Sequence, residues 1–238
     1  MDVLASLLGS FEMLAARIIP TILSKNGNLV KGEGFAADRI CGNALQAARI
    51  HAMRGVDELL IFDLSCEEPN YDMVRSLTET SFTPVTVGGG IKTVQHAQRL
   101  LRAGADKVCI KGPEQLVEEI SKKFGSQCVA LSIEMRDRDM HSGGEILYAS
   151  KYAGELIIQS VDRDGTMVGY DLDLIADAAE HVGVPIVASG GCSGYEDMYD
   201  ALDAGASAVA VGALFQFTDC TPKGAAEYLN DRGVEVRL

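Results

Sequence analysis

"VTVGGGIKTVQHAQRLLRAGADKVCIKG" runs from Val85 to Gly112, and "IVASGGCSGYEDMYDALDAGASAVAVGA" from Ile186 to Ala213. The second stretch lies on the first without a gap, at a constant offset of 101 residues. Gly89 and Gly90 fall on Gly190 and Gly191, Ala103-Gly104-Ala105 on Ala204-Gly205-Ala206, and Val108 on Val209. Isolated matches of small residues arise by chance in a chain rich in Gly and Ala, so the unbroken register carries the weight. Each copy reads as strand, glycine turn, amphipathic helix, Ala-Gly-Ala and strand. That is a duplicated βαβ unit, and it predicts a molecule built of two like halves.

Working outward, eight short apolar runs without clear alternation read as buried parallel strands. They are Arg17–Leu23, Glu58–Asp63, Pro84–Val87, Lys107–Ile110, Cys128–Ile133, Glu155–Ser160, Pro185–Ser189 and Ala208–Val211. Helical periodicity fills most gaps between them. Arg39–Arg54 and Thr93–Ala103 are amphipathic, with Gly55 and Gly104 at C-cap positions, and Pro113–Phe124 and Leu172–His181 are similar. Eight alternations with two matching halves predict an α/β fold, a (β/α)8 or TIM barrel with a two-fold half-barrel repeat. A doubly wound open sheet is the competing architecture. It calls for one glycine-rich turn near the start, whereas here glycine turns follow the third, sixth and seventh strands. Between Ile133 and Glu155 there is room only for a turn and a two-turn helix around Ile146–Ala153, so the fifth helix is expected to be short or irregular.

Length and composition set the outer bounds. The 238 residues suffice for one large α/β domain, and no Pro/Gly/Ser linker or charge block divides them. The expected organisation is a single barrel over residues 13–238, with 1–12 an N-terminal extension or a misassigned start. No apolar run approaches the ~18 residues of a membrane span. "MDVLASLLGS" lacks the basic start and cleavage site of a signal peptide, so a cytoplasmic location is expected. Six scattered cysteines without a C-x-x-C pair read as buried free thiols in a reducing compartment. The histidines, His51, His96, His141 and His181, show no metal-ligand spacing, so neither metal nor cofactor is expected. A net charge of −13 opposes nucleic-acid binding. An acidic chain that binds a phosphorylated substrate has to do so through local donors, and glycine turns offer them.

In such a barrel chemistry collects at the C-terminal strand ends. After the sixth strand come Asp164, Gly165 and Thr166, after the seventh Ser189-Gly190-Gly191, and after the eighth Gly212-Ala213. Bare backbone there lets N–H groups point at an anion. Any one such turn is equally a tight turn without a ligand, but three on neighbouring strands point to phosphate. The first half offers Gly88-Gly89-Gly90 and Lys111-Gly112, so two-fold repetition predicts a second phosphate site, with Lys111 either a point charge for it or a solvated loop lysine. At the opposite ends Arg17, Glu58, Lys107 and Glu155 open four strands with alternating sign. Charges at the end of an apolar barrel are unfavourable unless paired, so a closed ring is one reading and ordinary surface ion pairing the other.

These residues carry a resemblance that covers nearly the whole chain from Met13 on. "MLAARIIP", "GVDELLIFD", "TVGGGI", "GADKV", "FGSQ", "SVDRDGT", "GYD", "ASGG" and the closing "VEVRL" are similar to the cyclase subunit of imidazole glycerol phosphate synthase. "RIIP", "FGSQ" and "VRL" separate that family from the related isomerase of histidine synthesis. The resemblance implies a half-barrel duplication, a partner glutaminase docked at the N-terminal face, and ammonia passed up the barrel core. It implies that Arg17, Glu58, Lys107 and Glu155 form an ammonia gate and that Asp106 touches the glutaminase. Lys31 in the loop after the first strand and Asp63 after the second are retained.

Departures from the family pattern are selective. The family's two catalytic aspartates fall at Leu23 and Glu134 here. A leucine cannot transfer a proton, and Glu134 keeps a carboxylate on a longer stem. Lys111-Gly112 stands for an expected Asn-Thr, and the hairpin expected after the fifth strand is largely deleted. Glu134 and Lys31 are the candidate catalytic residues. Kept gate and altered mouth resemble paralogues of bacterial surface-sugar pathways that use ammonia to form an amidine on a nucleotide-linked acetamido sugar. They also share an aliphatic residue at the Leu23 position and "EEPNY", here Glu67–Tyr71. Three functions stay open: an ammonia-using synthase subunit in sugar amidination, a histidine-pathway cyclase (a lyase), and a non-catalytic phosphate-ligand-binding scaffold.

Overall fold

The computed structural model describes residues 15–36, 39–65, 68–136 and 151–237. Residues 1–14, with the expected extension and Met13, and most of the expected fifth helix lie outside them, as do Cys66 and Glu67. Among the described residues, no helix is long and apolar enough to cross a membrane.

Eight strands pair in parallel into a closed barrel: β1 (Arg17–Lys25), β4 (Leu59–Asp63), β5 (Val85–Gly88), β6 (Lys107–Ile110), β7 (Val129–Met135), β8 (Glu155–Ser160), β9 (Ile186–Ser189) and β10 (Ala208–Val211). Closure comes from β10 on β1, with Arg17 opposite Ala208 and Pro20 opposite Val211. Each predicted strand is present, its ends shifted by at most two residues. Helices α1 (Ala44–Met53), α2 (Tyr71–Thr78), α3 (Val94–Arg102), α4 (Glu114–Phe124), α5 (Leu172–His181), α6 (Tyr195–Asp203), α7 (Ala213–Phe217) and α8 (Pro222–Asp231) surround it. Side-chain caps fix several starts: Thr93 accepts from the His96 N–H at 3.1 Å and Asn70 from Met73 at 3.0 Å.

Strand alternation sorts the core into two shells. Ile18, Ile22, Leu59, Val85, Leu156 and Val209 face outward and pack under the helices. Ile19, Leu60, Cys109, Ala130, Ile157, Val187 and Ala208 fill the barrel interior. The duplicated glycines hold matching conformations, φ 99° at Gly89 and 96° at Gly190. In each half the turn presses on the end of the preceding strand. A Cβ on Gly89 would collide with the Asp63 carbonyl, and one on Gly190 would lie 2.6 Å from the Ser160 carbonyl.

One expectation fails. Arg39–Arg54 reads as a single amphipathic helix, but Arg39–Asn43 is a strand, β3, paired antiparallel to β2 (Asn28–Lys31). The helix begins only at Ala44, because the Asn43 side chain accepts from the Gln46 N–H at 2.9 Å and caps it there. Lys25-Asn26-Gly27-Asn28 explains β2: Asn26 and Gly27 have φ of 53° and 76°, which suits a two-residue hairpin of type I′. The exposed residues of β3 are strand because β2 satisfies their backbone groups, a tertiary effect that overrides helical periodicity.

Candidate functional site

Inward-facing residues along β1 run Arg17, Ile19, Thr21, Leu23, and this order explains both ends of the barrel. At the N-terminal end, Arg17 donates through Nη1 to Glu58 at 2.6 Å and through Nη2 to Glu155 at 2.8 Å. Lys107 reaches the same two carboxylates at 2.9 Å each, closing a four-membered ring. Thr86 donates a further hydrogen bond to Glu58. Burial opposes charge on Glu58, yet Lys107 and Arg17 outweigh it and hold the carboxyl below its usual range. Burial likewise disfavours charged Arg17, but Glu155 and Glu58 prevail and raise it. Asp106, next to Lys107, accepts the Val85 N–H at 2.8 Å.

At the C-terminal end a cavity of about 380 Å³ opens. Its lining includes Lys31, Glu134, Gly89, Gly90, Lys111, Asp164, Ser189, Gly190, Gly191 and Gly212 from the sequence-derived candidates. Gly112, Gly165 and Ala213, also expected at the site, are not among its lining residues. Thr166 directs both its N–H and its hydroxyl to the Arg163 carbonyl, at 3.2 and 2.8 Å, and so closes a turn. Asp63 likewise works within its own loop, accepting from the N–H groups of Ser65 and Asn70 at 3.1 and 3.2 Å.

Lys31, at the end of β2, is 5% exposed. Its amine lies 3.4 Å from the Thr21 carbonyl, and a Cβ on Gly212 would come within 2.5 Å of it. The missing side chain at Gly212 is what admits the amine. Burial pushes that amine down to about 8, against the pull of the Asp164 carboxylate. Asp164 is raised by the same burial, and the turn after β2 clasps it: Gly34 N–H donates to its carbonyl at 3.0 Å, Phe35 N–H to its carboxylate at 3.4 Å.

On the first-half side, Lys111 and Glu134 form an ion pair across neighbouring strands. Both are positions where the resemblance implied other residues, and they touch each other. Leu23 lines the same cavity with Phe62, Leu64 and Ile91. The floor carries a neutral pair that sequence reasoning missed, Gln159 donating to the Ser132 hydroxyl at 2.5 Å. The signal was present in the alternation: Ala130, Ser132, Glu134 in "VALSIEM" and Glu155, Ile157, Gln159 in "ELIIQS" share one face of their strands.

A family model described as Histidine biosynthesis protein matches residues 17–221. The chain belongs to that family. It is 35% identical to the imidazole glycerol phosphate synthase subunit HisF of Dictyoglomus thermophilum, across 95% of this chain and 100% of the relative. Its counterpart in Dictyoglomus turgidum is also 35% identical, with the same coverage. A Campylobacter jejuni protein named "Putative imidazole glycerol phosphate synthase subunit hisF2" is 36% identical over the same shares. Within this family the chain is HisF-like, with a closed ring of charge at one end of the barrel and a cavity at the other.

Proposed function

We propose that this HisF-like barrel is the ammonia-using synthase subunit of a two-component amidotransferase. A glutaminase subunit docks on the N-terminal face, and ammonia passes the ring of Arg17, Glu58, Lys107 and Glu155. Above the ring, Ile19, Leu60, Ala130, Ile157 and Val187 make the interior apolar. Such a passage suits neutral ammonia and rejects ammonium, whose desolvation is far more costly. The acceptor is a phosphorylated, sugar-type small molecule held over the mouth, and the reaction we favour is amidination in surface-polysaccharide sugar synthesis.

One observation carries this reading: the ring is complete while the acid–base pair of histidine-type cyclisation is not. Leu23 has no proton to give, and Glu134 is committed to Lys111. General acid–base groups contribute roughly 10²–10⁴-fold each, so turnover of the histidine-pathway ribulosyl substrate should be lower by several orders of magnitude than an ordinary rate. Identity of 35% over nearly all of HisF favours a second reading, a histidine-pathway cyclase in which Glu134 serves as the remaining carboxylate.

Turnover of that ribulosyl substrate by the purified barrel in excess ammonium salt separates the two, because free ammonia in equilibrium with the salt bypasses the glutaminase. Absence of turnover together with stimulation of a cognate glutaminase supports the first reading. An ordinary rate overturns it in favour of the second.

A further inference from the structure

Both halves carry the same glycine frame, yet their charges at the mouth differ. On the second-half side, Lys31 is buried, lines the cavity, and among the described residues donates one long hydrogen bond, 3.4 Å to the Thr21 carbonyl, while the Asp164 carboxylate acts on it from beyond ion-pair contact. Its cationic head lies against Gly212, close to the bare backbone of Ser189-Gly190-Gly191. A buried amine held so loosely is a ready partner for an anion. On the first-half side, Lys111 already has its anion in Glu134, whose carboxylate would repel a second one. Lys92 stands at the rim there as an exposed side chain, where water screens it and its pull on a ligand is small. The adjoining wall is Leu23, Phe62, Leu64 and Ile91, and the floor offers the neutral Ser132–Gln159 pair.

We propose that the mouth binds a substrate with one phosphate-bearing end, at the second-half cradle beside Lys31, and a neutral end of apolar and hydrogen-bonding character against the first half. A molecule with a phosphate at each end is excluded by the Lys111–Glu134 pair, which acts as a specificity device. The inference deepens the phosphorylated-substrate reading above and rests on it.

Titration of the full chain with inorganic phosphate, followed by calorimetry, tests this. Wild type should saturate at one equivalent. Lys31→Met should weaken that site at least about tenfold, the loss of one charge-assisted contact, and Lys111→Met should leave it within about twofold. Glu134→Gln removes the repelling carboxylate beside the Gly88-Gly89-Gly90 turn and frees Lys111, and should add a second equivalent, weaker than the first because Lys111 is largely exposed. Two equivalents in wild type, none at all, a tenfold loss with Lys111→Met, or no second site in folded Glu134→Gln each overturn the proposal. If Glu134→Gln fails to fold, the wild-type stoichiometry and the Lys111→Met titration decide it alone. Neither glutaminase nor ammonia enters the titration, so failure to stimulate a glutaminase would sink the proposed function and leave this result standing.

Discussion

The two ends of one barrel treat charge differently, although the same strands supply both. β6 begins at Lys107 in the ring and leads to Lys111 at the mouth, while β8 begins at Glu155 and leads to Gln159. At the N-terminal end, Glu58 and Glu155 are 3% and 5% exposed, and each is shared by two cations. Removing one member there leaves buried charge uncompensated. At the mouth, Lys111 is largely exposed and its pair with Glu134 stands beside water. Burial therefore makes the ring an all-or-none arrangement, whereas the fold depends little on the exposed Lys111–Glu134 pair at the mouth.

That contrast can be broken most forcefully at Glu58. Glu58→Gln leaves Arg17 and Lys107 to share Glu155, and it should cost about 3 kcal/mol in urea unfolding, the scale of a buried ion pair that loses one partner. The pH dependence follows from the lowered carboxyl of Glu58. A depressed folded-state value contributes stability that is present above the unfolded value and lost as pH falls through the folded one. Wild type should thus lose stability on acidification from the ordinary Glu range downward, and Glu58→Gln should flatten that limb. A loss below about 0.5 kcal/mol would mean the ring is not closed in solution.

Lys31 sharpens the comparison from the other side, because it is a cation at the mouth that is buried like the ring but, among the described residues, feels the Asp164 carboxylate without forming an ion pair. Its folded value near 8 lies below the usual 10.5. The unfolded chain then binds the extra proton between those values, so wild-type stability should rise with pH across that window, on the order of 1 kcal/mol per pH unit. Lys31→Met should abolish the rise. An unchanged slope in the variant would place the amine in water.

The smallest effect is expected for Lys111→Met. An exposed pair contributes about 0–1 kcal/mol, so chemical denaturation should detect little change. A loss near that of Glu58→Gln would erase the difference between the two ends.

How much was legible beforehand follows from the range of each interaction. The eight strands, the barrel and the matched turns at Gly89 and Gly190 could be read because they rest on local hydrophobic runs and on glycine at fixed offsets. The hairpin was legible too, in the Asn26-Gly27 dipeptide, but the helical period of Arg39–Arg54 masked it. Lys31, Glu134 and the four ring residues could be named from sequence; what they touch could not. Lys111 and Glu134 are separate departures in the sequence, 23 residues apart, and become a pair only when β6 and β7 lie side by side. Gly212 looks like one more turn residue until Lys31, 181 positions earlier, is found against it.

By itself, then, the sequence determined the duplicated strand-and-helix order and the end of the barrel at which each candidate side chain stands, because periodicity and strand parity are local properties of the chain. Only the tertiary structure decided which charges are joined and which buried amine faces the cavity, since closing the barrel brings remote strand ends within hydrogen-bonding distance and removes water from some of them but not others.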